Sequence, residues 1–174
     1  MKAALVAFFV CVVVFGVPSS SLCAELAMAE LAGPDGKPVG IATFTEGDNG
    51  VTIAVHLYNM PPGVHALHIH AAASCETPDF KSAKGHFNPY NRKHGLQNPK
   101  GAHAGDLPNI TIASDGTGAV IVTAPLVTLA AGGNSLFRDG GTAIMIHAGP
   151  DDYLSDPAGA AGPRIACGTI RSVE

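Results

Sequence analysis

Residues 52–58 read T-I-A-V-H-L-Y, and this stretch decides the fold class. Successive side chains of a β-strand point to opposite faces, so Ile53, Val55 and Leu57 would share one apolar face and His56 would lie on the other. A Pro-Pro-Gly sequence, which interrupts regular structure, follows within a few residues. The period of two therefore predicts a half-buried strand, with His56 as a surface histidine.

Outward from this strand, Gly, Pro, Asn and Asp recur every eight to twelve residues from Glu25 onward. This spacing is typical of an all-β sandwich or barrel. Seven further stretches also have strand character and bring the predicted total to eight: 25–31, 40–45, 64–71, 109–113, 119–124, 142–147 and 164–170. The 21 glycines and 13 prolines disfavour long helices. We find no internal repeat and no linker, and we predict a single all-β domain.

The first 24 residues have the composition of a secretory signal peptide. Lys2 provides a positive tip, residues 3–17 form an apolar run, and residues 19–24 are small and mostly polar. The run is shorter than the roughly 20 residues of a membrane-spanning helix, although an uncleaved anchor is the alternative. We predict a signal peptide at 1–24, a mature domain at 25–174 and no membrane segment in the mature protein.

Export changes the cysteine count, because Cys11 and Cys23 would leave with the signal peptide. Cys75 and Cys167 remain, and such a pair is expected to form a disulfide in an oxidising compartment. The alternative, that they are zinc ligands, is disfavoured because histidines already fill the coordination positions. Without Lys2 the chain has nine bases against 14 acids, a net charge of −5. This charge excludes a general binder of nucleic acids or anionic membranes.

Six of the eight histidines fall between residues 65 and 106, in the sequences H-A-L-H-I-H (65–70), G-H-F-N-P (85–89), K-H-G (93–95) and G-A-H-A-G-D (101–106). His68 and His70 are two apart, so both would project from one face of a strand. The remaining members, His86, His94, His103 and Asp106, lie in a segment rich in Gly, Pro and Asn, where loop residues can surround an ion. The pattern predicts a metal site.

Strand parity separates other histidines by role. His65 shares a face with Leu67 and Ile69, so we predict a buried structural histidine that is hydrogen-bonded to the backbone. In 142–147, the isoleucines face one way and His147 the other. His147 could therefore join His68 and His70, and the turn A-G-P-D-D-Y that follows it carries two carboxylates.

The candidate ligands form two sets that share His86: His68, His70, His86 and His147, and His86, His94, His103 and Asp106. All-imidazole coordination suits Cu(II), while three imidazoles and one carboxylate suit Zn(II). A shared histidine would need both ring nitrogens bound to metal. Spacing alone supports a metal site, but it does not determine that there are two metals.

These motifs, together with H-A-G-D-L-P-N-I (103–110), I-H-A-G-P-D-D-Y (146–153) and R-I-A-C-G (164–168), resemble those of the copper/zinc superoxide dismutases of the bacterial periplasmic kind. The resemblance covers essentially all of the mature chain. It implies an eight-stranded Greek-key β-barrel or sandwich with long metal-binding and active-site loops. It also implies a periplasmic location, with extracellular as the alternative, and leaves a homodimer possible.

The resemblance further implies a role for each site residue. Copper would bind His68, His70, His86 and His147; zinc would bind His86, His94, His103 and Asp106. Asp151 would link His68 to His94, and Arg164 would guide superoxide to copper. His86 would bridge the metals and carry a proton, and Cys75 would pair with Cys167. The implied reaction is dismutation of superoxide to dioxygen and hydrogen peroxide by alternating reduction and oxidation of copper.

Two rival functions fit the residues less well. An exported copper/zinc-binding or copper-delivery protein on the same scaffold would be expected to lose a copper ligand, and none is lost. A zinc hydrolase would need a general base near an open metal position, and the sequence has no H-E-x-x-H-like element.

Departures from the family pattern occur at Ala66, Ala71 to Ala73 and Ala160, none of which is a candidate ligand.

Overall fold

The computed structural model describes residues 25–173 as a β-protein with one short 3₁₀ helix at Lys81–Ala83. The strands are β1 (Leu26–Ala32), β2 (Pro38–Gly47), β3 (Gly50–Leu57), β4 (Gly63–His65), β5 (Leu67–His70), β6 (Ile110–Ile112), β7 (Gly118–Ala124), β8 (Ala143–His147), β9 (Arg164–Thr169) and β10 (Arg171–Ser172). Among these residues no helix is long and apolar enough to cross a membrane.

Eight strands form one curled antiparallel sheet in the order β5-β8-β9-β1-β2-β3-β7, with β10 pairing beside β1. β4 and β6 form a separate two-stranded ladder. Because β4 leads directly into β5 and β6 turns into β7, this ladder lies between the two ends of the large sheet. The neighbours β3 and β7, and β5 and β8, are far apart in sequence, as in a Greek key.

The core lies inside the curl of the sheet. In β3, Val51, Ile53, Val55 and Leu57 are buried, while Thr52 and His56 are exposed. This alternation confirms the strand predicted at 52–58 and the surface position of His56. The same faces of β1 and β2 add Leu31 and Phe44, both fully buried.

Each predicted strand has a counterpart, but residues 25–173 form ten strands rather than eight. The stretch predicted at 64–71 divides at Ala66, whose N–H donates to the carbonyl of Gly149 and whose carbonyl accepts from His147. Ala66 therefore pairs with the segment around the end of β8, and the ladder partner changes at that point. β10 was not predicted, because a two-residue strand gives too few positions for a period.

β5 is the end strand of the large sheet and is buried on both faces. Leu67 and Ile69 fill the core, and the backbone of Ile69 bonds Gly105 and Phe87 of the loop between β5 and β6. Covering an end strand in this way protects its free backbone groups from pairing with another chain. It also places the loop directly over the outward side chains of β5.

Candidate metal centre

Four imidazoles meet on the outer side of β5 and β8. His68 and His70 project from β5, and His147 ends β8. His86 comes from the loop between β5 and β6 (residues 71–109), here called the covering loop, and forms an isolated β-bridge with His70. One ring nitrogen of each lies within 4.8 Å of the others. His68, His70 and His147 are at most 4% exposed, so these polar rings are buried beneath the loops rather than displayed on the sheet.

Backbone carbonyls orient two of these rings. His70 Nδ1 lies 2.9 Å from the carbonyl oxygen of Lys84, and His147 Nδ1 lies 3.1 Å from that of Gly162. Each Nδ1–H donates, which leaves the lone pair of a neutral ring on Nε2. The Nε2 atoms of His70 and His147 lie 3.5 Å apart and face each other, so both present lone pairs to the same point.

A second cluster forms around one oxygen of Asp106. Asp106 Oδ1 lies 2.9 Å from His86 Nδ1, 3.0 Å from His94 Nδ1 and 3.2 Å from His103 Nδ1. The Nδ1 atoms of His86 and His103 are 3.4 Å apart. Four ligand atoms bound tetrahedrally at about 2.0–2.1 Å from a zinc ion would stand about 3.3–3.4 Å from one another. The observed spacing is close to this value.

His68 also lies near this second cluster. By distance alone, His68 groups with His86, His94 and Asp106, all with ligand atoms within 4.8 Å. His103 is the better fourth member, because its Nδ1 approaches both Asp106 Oδ1 and His86 Nδ1 closely. The Nε2 of His68 is already used in a hydrogen bond to Asp151, so only its Nδ1 is free.

Asp151 joins the two clusters. Its Oδ2 accepts a hydrogen bond from His68 Nε2 at 2.7 Å, and its Oδ1 accepts one from His94 Nε2 at 3.0 Å. Both rings are therefore protonated at Nε2 and present Nδ1 as a lone pair, the way a carboxylate commonly orients a metal-ligating histidine. Asp151 itself is 3% exposed.

Three buried ring nitrogens have no hydrogen-bond partner among residues 25–173: His68 Nδ1, His86 Nε2 and His94 Nδ1. Buried polar atoms are almost always satisfied, so three such atoms at one place need a physical explanation. Two lie toward the four-imidazole cluster, and the third lies in the Asp106 cluster. Cations bound between the rings would satisfy all three. His86 would then use both nitrogens, since its Nδ1 already faces Asp106.

For His70, His86 and His147 the protonation state matches the neutral form that metal binding requires. Burial, with smaller contributions from neighbouring charges, lowers the pKa of His70 to about 2 and those of His86 and His147 to about 4. His94 is the exception: burial acts to lower its pKa, but the carboxylates of Asp106 and Asp151, each 3.0 Å from one of its ring nitrogens, raise it to about 9.

The two carboxylates are ionised. Burial acts to raise the pKa of Asp106, but the rings of His103, His86 and His94, whose Nδ1 atoms lie 2.9–3.2 Å from Oδ1, hold it well below its usual range. The pKa of Asp151 is also lowered, because hydrogen bonds from His68 and His94 outweigh burial. The site therefore combines mostly neutral imidazoles with two anions, which leaves it short of positive charge.

Arg164 opens β9 beside the four imidazoles. Its Nη1 and Nη2 each donate to a carbonyl of the covering loop, of Phe80 and Lys84, at 2.5 Å. The Lys84 carbonyl is also the acceptor for His70 Nδ1, so one oxygen connects the guanidinium to a ring of the cluster. The disulfide predicted between Cys75 and Cys167 is confirmed, and it joins β9 to the same loop.

His65 lies apart from the clusters, as predicted. It is 3% exposed, and its Nδ1 and Nε2 each lie 2.9 Å from a backbone carbonyl, of His147 and Pro61 respectively. It connects β4 to the end of β8 and to the turn before β4. All seven residues of the two predicted ligand sets, by contrast, are brought together with Asp151 beside them.

Sequence reasoning missed three residues that support the site. Asn109 exchanges hydrogen bonds with the backbone of Asp151, and Asp156 accepts from the N–H of His94. Gly159 lies against the Asp151 carboxylate, where a Cβ would come within 1.9 Å of Oδ1. Asn109 ends the motif H-A-G-D-L-P-N and could have been noticed there, whereas the other two give no local signal.

The copper/zinc superoxide dismutase family profile matches residues 39–170. Superoxide dismutase [Cu-Zn] 2 from Aquifex aeolicus is 54% identical over 156 residues, which cover 88% of this chain and 91% of that protein.

Solved structures give the same result. A superoxide dismutase-like protein from Bacillus subtilis is 41% identical with a TM-score of 0.79, and the match covers 82% of this chain and 96% of that one. The copper/zinc superoxide dismutase from Brucella abortus is 30% identical with a TM-score of 0.67, over 84% of this chain and 100% of that one. The fold is therefore that of these two proteins.

Proposed function

Because the chain belongs to the copper/zinc superoxide dismutase family, we propose that its two ligand clusters hold the two metals of that name. The protein dismutates superoxide to dioxygen and hydrogen peroxide, with copper and zinc as cofactors. The observation that best supports the assignment of residues is the set of three buried ring nitrogens that lack partners among the described residues.

Donor chemistry distinguishes the two clusters. His68 Nδ1 and the Nε2 atoms of His70, His86 and His147 are all imidazole nitrogens, a set that suits copper. The Nδ1 atoms of His86, His94 and His103 with Asp106 Oδ1 combine three imidazoles with a carboxylate at tetrahedral spacing, a set that suits zinc. His86 would bridge the two ions.

Copper, when bound, would supply the one-electron redox chemistry that converts two superoxide anions to dioxygen and hydrogen peroxide. The protein's residues hold the reactants and the protons. His86 Nε2, when it is not bound to copper, would carry one of the two protons that peroxide needs, while Asp106 contacts Nδ1 on the opposite side of the ring. Arg164 binds the anion electrostatically beside His70, and the two backbone carbonyls fix its guanidinium.

An exported copper/zinc-binding or copper-delivery protein is the alternative function. Such a protein would be expected to lack part of the copper set. Here the copper set, the zinc set and the Asp151 connection are all present and buried, and Arg164 lies beside His70. These features favour the enzyme.

The bacterial relatives and the disulfide favour an exported protein. We propose the periplasm as its location, with the extracellular space as the alternative, and residues 25–174 as the dismutase domain. The proposed signal peptide at 1–24 lies outside the described residues.

Metal analysis of purified mature protein, together with a superoxide assay, tests these assignments. The protein should contain about one copper and one zinc per chain, since each cluster provides one set of ligands. His94→Ala removes a zinc ligand only, so it should lower zinc content before copper content. His56→Ala is the control, because His56 is an exposed histidine on β3. Loss of copper with zinc retained in His94→Ala would contradict the two-site assignment.

A further inference from the structure

A cleft of about 440 Å³ lies at Arg164. Its lining consists of Pro78, Asp79, Lys81, Gly162, Pro163 and Arg164. Arg164 lies close to the copper cluster, because Arg164 Nη2 and His70 Nδ1 share the Lys84 carbonyl as acceptor. The same charge adds to burial in lowering the pKa values of His70 and His147. The cleft therefore lies beside the copper cluster, and its charged side chains contribute to the electric field there.

Three charged side chains line this cleft, and one of them is an acid. Asp79 Oδ2 lies 2.6 Å from Lys81 Nζ, and Asp79 Oδ1 accepts a hydrogen bond from Lys81 N–H at 3.1 Å. Burial lowers the pKa of Arg164, and the charge of Asp79 acts in the opposite direction, so the carboxylate is also felt at the guanidinium. With Asp79 ionised the three side chains sum to +1; without it they would sum to +2.

We propose that Asp79 is a specificity-determining residue that limits the positive field in front of the copper cluster. This inference depends on the proposed role of Arg164 in guiding superoxide. The electrostatic energy of an anion is proportional to its charge, so a stronger field favours a dianion such as hydrogen phosphate twice as much, in energy, as it favours superoxide. Asp79 therefore lowers the electrostatic attraction of the cleft for superoxide, and lowers its attraction for multivalent anions by more.

The variant Asp79→Asn tests the charge without removing the turn, since the amide oxygen can still accept from Lys81 N–H. At about 0.01 M salt the second-order rate constant should rise about 2-fold, and the rise should vanish above about 0.3 M salt, where screening is strong. Inhibition by hydrogen phosphate should strengthen about 4-fold at low salt, the square of the gain for a monoanion.

Asp35→Asn is a matched control. Lys37 N–H donates to Asp35 Oδ1 at 3.1 Å and Lys37 Nζ lies 2.8 Å from Oδ2, the same arrangement as at Asp79. The exposures also match, at 55% for Asp35 and 54% for Asp79. This variant changes the net charge equally but lies in the β1–β2 turn, so its rate should equal that of wild type.

Lys81→Gln completes a double-mutant cycle with Asp79→Asn. Alone it leaves the charge of Asp79 unpaired and should slow the enzyme, and combined with Asp79→Asn it should restore a rate near wild type.

A spectroscopic titration with azide gives a readout that is independent of turnover. Azide is a monoanion that ligates copper(II), and its binding is followed in the copper absorption band. It should bind Asp79→Asn about 2-fold more tightly than wild type at low salt. A purely structural role for Asp79 would move neither the salt dependence nor the azide affinity in this direction.

The outcomes separate the two proposals. An inactive wild type with both metals bound would overturn the proposed function. Full activity in Arg164→Glu would overturn the guiding role of Arg164, and with it the role given to Asp79, but not the dismutase activity. An active wild type, a slow Arg164→Glu and an Asp79→Asn indistinguishable from Asp35→Asn would overturn only the role given to Asp79.

Discussion

Gly159 shows how one backbone position supports the metal centre. Its φ of +64° lies in the left-handed region, and a Cβ there would come within 1.9 Å of Asp151 Oδ1 and 2.7 Å of His94 Nε2. Only glycine combines this conformation with this closeness at low cost. The carboxylate can therefore reach both His68 and His94 because residue 159 has no side chain.

We expect Gly159→Ala to weaken zinc binding, because the added methyl group would displace Asp151 from His94. Loss of such a supporting hydrogen bond typically lowers metal affinity about 10- to 100-fold. Competition with a chromophoric zinc chelator would measure the change. Gly133→Ala is the control, since a Cβ there would meet no atom within 4 Å. Unchanged zinc affinity in Gly159→Ala would show that the carboxylate tolerates the methyl group.

At the scale of elements, the loop after β5 and the strand β9 depend on each other. The loop supplies the carbonyls of Phe80 and Lys84 that hold Arg164, and the disulfide between Cys75 and Cys167 joins the two elements 92 residues apart in sequence. Cys167 lies three residues after Arg164 on the same strand. The covalent bond therefore holds the loop where it orients the guanidinium.

Replacing both cysteines with serine should reduce stability and activity together. The loop-closure model assigns roughly 4.5 kcal/mol to a crosslink over this separation, so the melting temperature should fall by many degrees. The rate should fall as well, because the loop carbonyls would no longer fix Arg164. Calorimetry and a superoxide assay on samples with equal metal content would test this. A variant with a lower melting temperature but full activity would show that the loop holds Arg164 without the disulfide.

The strand positions, and the residues that the structure brings together in the two clusters, could be predicted from sequence, because both depend on local patterns. The period of two located β3, and the spacing of His68 and His70 placed both on one face of β5. The division of the predicted strand at Ala66 could not be read locally, since it depends on hydrogen bonds to Gly149 and His147. The backbone conformation of Ala160 could not be predicted either. Its φ is 54°, a value that asparagine would tolerate better than alanine.

At the scale of the whole molecule, the metal centre is a buried polar region beside an apolar core. The structure brings five imidazoles of the clusters to exposures of 7% or less, at His68, His70, His94, His103 and His147. Such burial favours the neutral ring. The metal-free protein therefore keeps in its interior several groups that would take up protons if they were exposed to water.

The metal-free protein should lose stability as the pH falls. The pKa values of His70, His86 and His147 lie at about 2, 4 and 4, below the value of about 6.5 in an unfolded chain. Between about pH 7.5 and about pH 4.5 the unfolded chain thus binds more protons, which lowers the free energy of unfolding. The pKa of His94 is raised to about 9 and has the opposite effect, but His94 is one group against three.

Melting temperatures of chelator-treated protein at the two pH values would measure this. The expected result is a lower melting temperature at about pH 4.5. A melting temperature that is equal or higher at the acidic value would mean that these rings are hydrated in the metal-free protein.

Two residues, His86 and Asp151, each contact both clusters, and this sharing makes the binding of the two metals a linked equilibrium. Whichever ion binds first fixes rings that the second ion needs. Thermodynamic reciprocity then requires that the factor by which zinc improves copper affinity equals the factor by which copper improves zinc affinity. In surroundings poor in zinc, the protein would also hold its copper less tightly, so zinc supply would govern how much active enzyme exists at a given copper concentration.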